Sequence, residues 1–402
     1  MTHTTNRPGP LSDLRVIEMG QLLAGPFCGQ LLGDFGAEVI KIEQPDRGDP
    51  MRDWGREKAS GKSLWWPVIA RNKKCITVNA REPAGQEVIR DLVSRTDILV
   101  ENFRPGTLEK WGLGYDALAR INPGLILVRV TGFGQTGPYA ARAGYGAVGE
   151  AMGGLRYVVG SPDRPPSRMG ISIGDTLAAT FACVGALSAL HHRERTGRGQ
   201  VVDSALYEAV LNVMESLITE YDRTGFVRER TGAILPNVAP SNVYPCQDAE
   251  HLIAANQDTV FRRLCKAMQR EELADDERYA THNARGAHQQ ELDELIAEWT
   301  HTLTSESLEA LLNEHGVPNG KIYRAPDMLE DQHFKAREAI VRVAHPSFGD
   351  LAMQNVCPRL SETPGAVRWT GPEHGEHNAE VYGALLGYSE QKQAELKARG
   401  VI

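Results

Sequence analysis

Hydrophobic residues follow two alternating patterns along the first 206 residues of the chain. Short, nearly continuous apolar runs are typical of strands that are buried on both faces of a parallel sheet. These runs lie at residues 14–19, 38–43, 75–79, 97–102, 125–130 and 201–206. The segments between them that predict helices lie at residues 24–36, 85–94 and 115–121. Strands that alternate with helices predict an α/β domain with a doubly wound sheet, in which ligands bind beyond the carboxyl ends of the strands.

The pattern changes after this region. Residues 207–224 predict one long helix, and residues 225–242 are rich in Gly, Pro and Asn, which indicates a domain boundary or a functional loop. Short strands and amphipathic helices then predict a smaller α+β domain. We divide the chain into a large domain at 1–206, a linker helix and loop at 207–242, the small domain at 243–325 and a last part at 326–402, which contains short β segments near 341–343 and 351–353 and a helix at 378–386.

Composition excludes several classes of protein. The net charge of −8 and the pI near 5.9 argue against a nucleic-acid partner. We find no apolar run of membrane-spanning length, and the first ten residues, which lack the apolar core of a signal peptide, predict a loose tail. The six cysteines are scattered without C-x-x-C spacing. We therefore expect no bound metal and no membrane partner, with reduced thiols in the cytoplasm.

One carboxylate stands in a distinctive place. Asp175 follows Gly174 and directly precedes a segment, 178–190, that is apolar nearly all round and predicts a buried helix. An Asp here is an ordinary helix cap, because its oxygen accepts from the N–H groups of the first turn. It is equally suited to act as an ionised nucleophile presented from a glycine turn. The residues alone leave both interpretations open.

Other catalytic motifs are weak. Gly170-Ile-Ser-Ile-Gly174 matches the G-x-S-x-G elbow of serine hydrolases, with Ser172 as the nucleophile. That elbow needs a buried strand before it, and residues 161–168 are a polar, turn-rich run instead. No G-x-G-x-x-G follows the first strand, so a dinucleotide cofactor is not indicated.

A set of short motifs occurs in a specific order along the chain. They are Leu23-Ala-Gly-Pro26, Gly33-Asp-Phe-Gly-Ala-Glu-Val-Ile-Lys-Ile-Glu43, Gly48-Asp49, Arg71-Asn-Lys-Lys74, Val100-Glu-Asn-Phe-Arg-Pro-Gly106, Thr131-Gly-Phe-Gly-Gln-Thr-Gly-Pro138, Gly174-Asp175, Thr196-Gly-Arg-Gly-Gln200, Gly316-Val-Pro-Asn-Gly320 and His345-Pro346. In this order they resemble the class III CoA-transferase family, which includes formyl-CoA and carnitine-linked CoA-transferases. The resemblance runs from about residue 11 to the C-terminus.

The resemblance implies a fold, an assembly and a set of site residues. Family members are interlocked homodimers, each subunit with a Rossmann-like large domain to which the C-terminal residues return, and a smaller domain between. The catalytic Asp of the family falls on Asp175. Contacts with CoA fall on Leu23, Ala24, Val78, Asn79, Arg81, Asn102, Phe103, Arg104, Lys110, Arg142 and Tyr145. A flexible covering loop falls near Pro236 to Pro240. Coenzyme A and acyl-CoA enter as substrates, and no tightly bound cofactor is implied.

The chemistry that the resemblance implies is covalent catalysis by a carboxylate. Asp175 attacks an acyl-CoA thioester to give a mixed anhydride, which CoA thiolate converts into an aspartyl-CoA thioester that the acceptor acid then attacks. Oxyanions form at each step, so we expect N–H donors near Gly174 or the covering loop. The basic side chains at 81, 104, 110 and 142 would neutralise the CoA phosphates.

Departures from the family pattern narrow the activity. Formyl-CoA transferase has a Gln where this chain has Leu23, and an Arg where this chain has Gln44. The covering loop of this chain also lacks a run of glycines. These differences disfavour formyl-CoA and oxalate as substrates. α-Methylacyl-CoA racemases use a His-Asp pair where this chain has Gly144-Tyr-Gly146, which favours a transferase. A racemase, a serine hydrolase using Ser172 and a non-catalytic acyl-CoA binder remain the alternatives.

The sequence says less about which acids are exchanged than about the reaction. Succinyl-CoA or another dicarboxylyl-CoA is the candidate donor. Three basic residues, Arg71, Lys73 and Lys74, are candidates to face an acceptor carboxylate, although CoA or solvent would serve them equally well.

Overall fold

The computed structural model describes residues 9–59 and 61–402, so most of the predicted loose tail lies outside the described residues. Six parallel strands form the main sheet in the order β3-β2-β1-β4-β5-β6. The strands are β1 (Arg15–Glu18), β2 (Glu38–Glu43), β3 (Lys73–Thr77), β4 (Ile98–Glu101), β5 (Ile126–Thr131) and β6 (Val201–Ala205). This is the strand order of the Rossmann fold, and it confirms the predicted α/β class.

Alternate strand residues point to opposite faces of this sheet, and helices cover both faces. Ile17, Ile40 and Leu99 pack on one side with the helix Pro83–Val93, within the first hydrophobic cluster. On the other side, the helices Ala24–Asp34 and Ile173–Thr196 cover a second cluster. The other helices among residues 61–224 and near the C-terminus are Trp66–Ile69, Thr107–Lys110, Tyr115–Ile121, Gly146–Met152, Leu155–Val158, Leu206–Asn212, Leu217–Thr224 and Glu390–Ala398.

The chain forms two compact units. The first contains the described residues up to Leu155, Met169–Arg223 and Lys335–Ile402, and the second contains Arg156–Arg168 and Thr224–Phe334. In the second unit, an antiparallel sheet of order β9-β8-β7 is built from β7 (Ser241–Pro245), β8 (Glu250–Ala254) and β9 (Asn319–Lys321). Its helices are Asp258–Ala267, His282–Ala287, Gln289–Thr300, Ser305–Glu314, Ala325–Glu330 and Gln332–Ala336, the last of which crosses into the first unit. A core of its own makes this unit an α+β module.

Two predicted elements need correction, and one helix was missed. The long helix predicted at 207–224 is wrong: two helices meet at a bend where Glu215 has a φ of 52°. The helix predicted at 378–386 is mostly a wide π-type segment, Glu380–Leu385. The C-terminal helix Glu390–Ala398 was not predicted. The β segments near 341 and 351 are confirmed as an antiparallel hairpin of β10 (Ile340–His345) and β11 (Gly349–Gln354).

The helix that carries Asp175, Ile173–Thr196, is 24 residues long and has a window of mean hydropathy 1.5. By length and composition this helix could cross a membrane. The prediction that no apolar run reaches membrane-spanning length is therefore wrong. Its alanines at 178, 179, 182, 186 and 189 are fully buried in the core of the first unit. Its opposite face exposes Phe181, Val184 and Leu187. One face of this helix therefore packs in the core of the first unit, and hydropathy alone is weak support for a membrane span.

Candidate active site

Asp175 is the third residue of its helix and not the cap. Ser172 occupies the N-cap position, and its side chain makes no capping hydrogen bond. The Asp175 carboxylate therefore lies in the first turn, where the partial positive charge of the helix N-terminus stabilises an anion. The residue is half-buried and lines an open cleft. Hence a ligand can reach this carboxylate.

The cleft has a volume of about 210 Å³ and lies beyond the carboxyl ends of β1, β4 and β5. Strand order reverses between β1 and β4, which is where open α/β sheets bind ligands. Eight of the residues that the sequence analysis singled out line this cleft: Leu23, Ala24, Asn102, Phe103, Arg104, Arg142, Tyr145 and Asp175. The structure therefore brings the predicted nucleophile and most of the predicted CoA contacts together, although their contact with CoA stays a prediction.

Glycines determine how closely the cleft walls approach. A Cβ on Gly146 would lie 2.1 Å from Asp175 Oδ2, so the carboxylate rests directly on the Gly146 backbone. A Cβ on Gly144 would lie 2.4 Å from the Gly132 Cα. Side chains at these positions would separate the segment 144–146 from both the end of β5 and the nucleophile. The Gly144-Tyr-Gly146 sequence thus has a structural reason besides the missing His-Asp pair.

Two polar side chains fix the loop that follows β1. Asn102 accepts a hydrogen bond from Gln21 N and donates one to Gln21 O, both at 2.8 Å. Asp49 accepts from Leu22 N at 3.2 Å, which holds Leu22 at a φ of 64°, a value that costs energy in a residue other than glycine. The predicted contact residue Asn102 therefore has a scaffolding role in this loop.

Beneath the loop lies a buried ionic cluster, the Lys41 network, formed by Glu18, Lys41, Asp49 and Lys73. Lys41 Nζ lies 2.8 Å from Asp49 Oδ2 and 3.1 Å from Glu18 Oε1, and donates to Gly20 O at 2.8 Å. Lys73 Nζ lies 2.7 Å from Glu18 Oε2 and donates to the carbonyl of Pro26. Two cations balance two anions here, and their spare donors bind the loop backbone.

Ionisation in the Lys41 network follows from burial and partner charges. Burial opposes the charge on Lys41, but the carboxylates of Asp49, Glu18 and Glu43 outweigh it and raise the pKa of Lys41. Burial also opposes the charge on Asp49, but the Lys41 ammonium and the N–H groups of Met51 and Leu22 lower its pKa. Burial lowers the pKa of Lys73, and the Glu18 carboxylate offsets this effect only in part.

The suggestion that the basic residues among 71–74 face an acceptor carboxylate is wrong for Arg71 and Lys73, and for Lys74 it stays a prediction. Arg71 and Lys73 are buried and pair with Asp34 and Glu18 of the protein. Lys74 binds Glu38 and Glu380. Because β3 begins at Lys73, this basic run enters the sheet and holds neighbouring elements together.

Two predicted CoA contacts line a second recess of about 250 Å³. Asn79 and Arg81 line it together with Gln44, Arg47 and other residues of the segment after β2. Arg47 is a cation that the sequence analysis missed, although it directly precedes the Gly48-Asp49 motif. It provides positive charge beside Gln44 in this recess.

Two other predicted contacts lie in neither place. Val78 is fully buried in the core, so its side chain is unavailable to CoA. Lys110 ends the short helix Thr107–Lys110, with its side chain exposed. Any contact of CoA with Val78 therefore has to use its backbone.

Aromatic residues of the cleft are partly fixed by neighbours. The Phe103 ring packs edge-on against Trp111 with centroids 5.3 Å apart. The Arg142 guanidinium stacks over the ring of Tyr139, with Cζ 3.5 Å from its centroid. Burial, and then the charge of Asp175, raise the pKa of Tyr145, so this phenol stays a hydrogen-bond donor near the nucleophile.

Two residues near the cleft were missed by the sequence analysis as site residues. Glu150, in the helix Gly146–Met152, is buried, and its Oε1 accepts from Gly174 N at 3.4 Å. Thr131 is the last residue of β5 and lines the cleft. Thr131 is the first residue of the Thr131–Pro138 motif and could have been found from it, whereas no sequence signal marks Glu150.

The structure lacks the strand that a serine hydrolase using Ser172 would need. The residues before Ser172 form turns and bends, and no strand occurs among described residues 156–171. Ser172 thus lacks the strand-to-helix elbow that exposes a catalytic serine. In the described part of the chain, no group of three or more His, Cys, Asp or Glu is arranged to hold a metal ion.

The predicted covering loop lies in the second unit and is well anchored there. Gln289 donates to Leu235 O at 3.2 Å and accepts from Asn237 N at 3.2 Å. Arg285 donates to Ala239 O at 3.1 Å. Its role as a cover stays a prediction.

Comparison with known proteins identifies the class of enzyme. Residues 11–378 match the model of CoA-transferase family III. The chain belongs to this family and is a CoA-transferase.

Individual relatives resemble it over nearly their whole length. It is 60% identical to the succinyl-CoA–D-citramalate CoA-transferase of Chloroflexus aurantiacus, over 98% of both chains. It is 40% identical to the succinyl-CoA–L-malate CoA-transferase beta subunit of the same organism, again over 98% of both. A solved CAIB/BAIF family protein from Brucella suis superposes with a TM-score of 0.85 at 36% identity, covering 94% of this chain and 100% of that one.

Proposed function

We propose that this enzyme transfers CoA from succinyl-CoA to a hydroxylated dicarboxylic acid of the citramalate or malate type, with Asp175 as the covalent nucleophile. The observation that carries the mechanism is the half-buried Asp175 carboxylate, lying in an open cleft at the helix N-terminus. The two Chloroflexus relatives support the choice of acids, because both are named for succinyl-CoA and for a hydroxylated four-carbon-chain diacid.

The reaction divides one acyl exchange into steps at a single carboxylate. An Asp175 oxygen attacks the thioester carbon, the C–S bond breaks and succinate remains bonded as a mixed anhydride. The CoA thiolate then attacks the aspartyl carbonyl and releases succinate, which leaves CoA on Asp175 as a thioester. The acceptor acid attacks this thioester to form a new anhydride, from which returning thiolate takes the acceptor acyl group and frees Asp175.

Coenzyme A would use the cationic side chains of the first unit. Arg47 and Arg81 line the second recess together with the single carboxylate of Asp46, and the net positive charge suits phosphate groups. Arg104 and Arg142 line the cleft itself. We assign phosphate binding to the recess, and leave the cleft to the thioester end of the ligand.

The test combines a nucleophile variant with a panel of acids. Asp175→Ala should lose CoA transfer by a factor on the order of 10⁴ or more, as removal of a covalent nucleophile does. Succinyl-CoA with citramalate or malate should give the highest kcat/KM in wild type. Full transfer activity in Asp175→Ala would refute the mechanism, while preference for a monocarboxylic acceptor would refute only the substrate class.

The racemase alternative is disfavoured by the site as well. Within the described residues no His lines the cleft, so the proton-transfer partner that a racemase needs is missing there. Exchange of the α-hydrogen of a branched acyl-CoA with solvent deuterium, without any acid exchange, would favour it.

We also propose a homodimer in a reducing compartment such as the cytoplasm. The outer face of the Asp175 helix exposes Phe181, Val184 and Leu187 to 37%, 55% and 41%, which suits a protein interface. All six cysteines are unbridged. Light scattering after gel filtration should give twice the chain mass of 44.1 kDa; a monomer at micromolar concentration would contradict the dimer.

A further inference from the structure

A second buried ion pair lies at the carboxyl end of β4, next to the cleft. Residues 102–105, which follow β4, all line the cleft that contains Asp175. Glu101, the last residue of β4, is fully buried. Its Oε1 accepts from Arg129 Nε at 2.7 Å, and its Oε2 accepts from Phe103 N at 2.6 Å. The ion pair is thus bonded directly to the backbone of a residue that lines the cleft.

Strand register fixes the position of this ion pair. Glu101 on β4 and Arg129 on β5 are paired neighbours in the sheet, so their side chains leave it on the same face. Arg129 is held on its other side by Glu109 of the short helix Thr107–Lys110, to whose two oxygens it donates at 2.7 and 3.3 Å. The Glu101 carboxylate is therefore fixed with its second oxygen toward the Phe103 N–H.

The Phe103 N–H is the point at which this cluster meets the cleft. A hydrogen bond to a carboxylate is stronger than one between neutral groups, so it holds the peptide that precedes the Phe103 side chain. Phe103 lines the cleft, and its ring also packs edge-on against Trp111, with centroids 5.3 Å apart. Glu101 is not among the residues that line the cleft, so any effect of this carboxylate on a ligand passes through its neighbours.

The ionisation of Glu101 shows what this arrangement costs. Burial raises the pKa of Glu101 to about 7, although Arg129 and the Phe103 N–H favour the charged form. A buried ion pair often adds no stability compared with apolar side chains of the same size. Stability alone therefore does not account for a carboxylate here, whereas its second hydrogen bond gives it a positional role.

We propose that Glu101 is a positioning residue for acyl-CoA, which holds the Phe103 N–H and thereby fixes the aromatic side chain on which the ligand packs. This inference rests on the proposed function. It concerns binding and not bond making, so the reaction at Asp175 keeps its rate once acyl-CoA is bound. Loss of Glu101 should therefore raise KM and leave kcat nearly unchanged. A merely structural role predicts the opposite, because a partly unfolded population lowers kcat and leaves KM as it is.

The test measures CoA binding and steady-state transfer in two variants of Glu101 at pH 8, where the group is ionised. Glu101→Ala removes the acceptor, so the Kd for CoA and the KM for succinyl-CoA should each rise about tenfold, the share of binding that one aromatic contact supplies. Glu101→Gln keeps one acceptor oxygen, which the charged Arg129 guanidinium takes in preference to the Phe103 N–H. Its Kd should therefore rise as well, and it decides the test if Glu101→Ala does not fold.

Glu109→Gln is the matched control, because Glu109 binds the same Arg129 from its other side. It should keep the wild-type Kd for CoA. Phe103→Leu tests the route: adding Glu101→Gln to it should weaken binding little further, since the ring that Glu101 positions is already gone.

An unchanged Kd in Glu101→Gln would overturn the proposal. An equal rise in Glu109→Gln would do the same, and so would a full additional rise when Glu101→Gln is combined with Phe103→Leu. If wild type neither binds CoA nor transfers it, the proposed function itself fails.

Discussion

Two walls of the same cleft are built on opposite principles. The loop wall, residues 20–26 after β1, stands on the Lys41 network, in which every buried charge has a partner of opposite sign. The glycine wall, residues 131–146 after β5, depends on close backbone contacts and keeps the unpartnered Thr131 hydroxyl. Polar groups in the first wall are consumed in holding a strained loop. The second wall takes its shape from glycine contacts, which use no polar side chain.

Breaking the loop wall should cost the most. Lys41→Met leaves Glu18 and Asp49 buried without their shared cation, which should lower the free energy of unfolding by about 3–5 kcal/mol. Urea denaturation followed by circular dichroism measures this. The exposed Lys397→Met serves as a control and should change little. A loss below about 1 kcal/mol would show that the network does not support the loop.

Disturbing the glycine wall should reduce activity more than stability. Gly146→Ala places a Cβ where the Asp175 carboxylate now lies, 2.1 Å from Oδ2, so the carboxylate must move. Displacement of a nucleophile by about 1 Å costs on the order of 100-fold in kcat.

Gly170→Ala is the control, because its Cβ would meet no atom within 4 Å. It should keep the wild-type kcat in steady-state CoA transfer. Equal kcat values for the Gly146 and Gly170 variants would remove the support for close contact at the nucleophile.

Replacing Glu150 should also lower activity more than stability, with a smaller loss than replacing Gly146. Its carboxylate holds Gly174 N–H, one residue before the nucleophile, so it acts as a positioning residue. Glu150→Ala should lower kcat about tenfold, or about 1.4 kcal/mol, with little change in KM for acyl-CoA.

Glu150→Gln keeps an acceptor oxygen and should restore most of the activity. The exposed Glu194→Ala, near the C-terminal end of the helix that carries Gly174 and Asp175, should behave as wild type. Loss of activity in Glu150→Gln equal to that in Glu150→Ala would show that hydrogen-bond acceptance at Gly174 is not what matters.

Acid should weaken the loop wall with a defined sign. The pKa of Asp49 is lower in the folded protein than its ordinary value, so its stabilisation is complete above about pH 4 and is lost as pH falls further. The difference in unfolding free energy between wild type and Asp49→Asn should therefore shrink on acidification. A constant difference between pH 7 and pH 3, by urea titration, would contradict the ionised Asp49–Lys41 pair.

Much of the fold could be read from local pattern. Continuous apolar runs marked all six strands of the main sheet, and the rule for open α/β sheets predicted that a ligand would bind at the strand ends. Residues 23, 102 and 175, which line one cleft there, came from the family resemblance. The break at Glu215 could not be read, since no Gly or Pro marks it.

The ionic foundation of the site was equally hidden. Arg71 and Lys73 looked like ligand-binding cations, but their partners, Asp34 and Glu18, are far away in sequence and meet them only once the strands pair. Arg47 was overlooked because the recess that it lines also takes residues from after β3 and from the C-terminus. Pairing of charges depends on register, which sequence pattern alone does not supply.

The most direct test of the account is to look for the bond to Asp175. Wild-type protein is incubated with succinyl-CoA, trapped with hydroxylamine and digested, and the peptide containing Asp175 is examined by mass spectrometry. We predict a hydroxamate at Asp175 that forms only when succinyl-CoA is present and is missing in Asp175→Ala. An unmodified Asp175 in protein that is turning over, or a hydroxamate at another residue, would contradict the account.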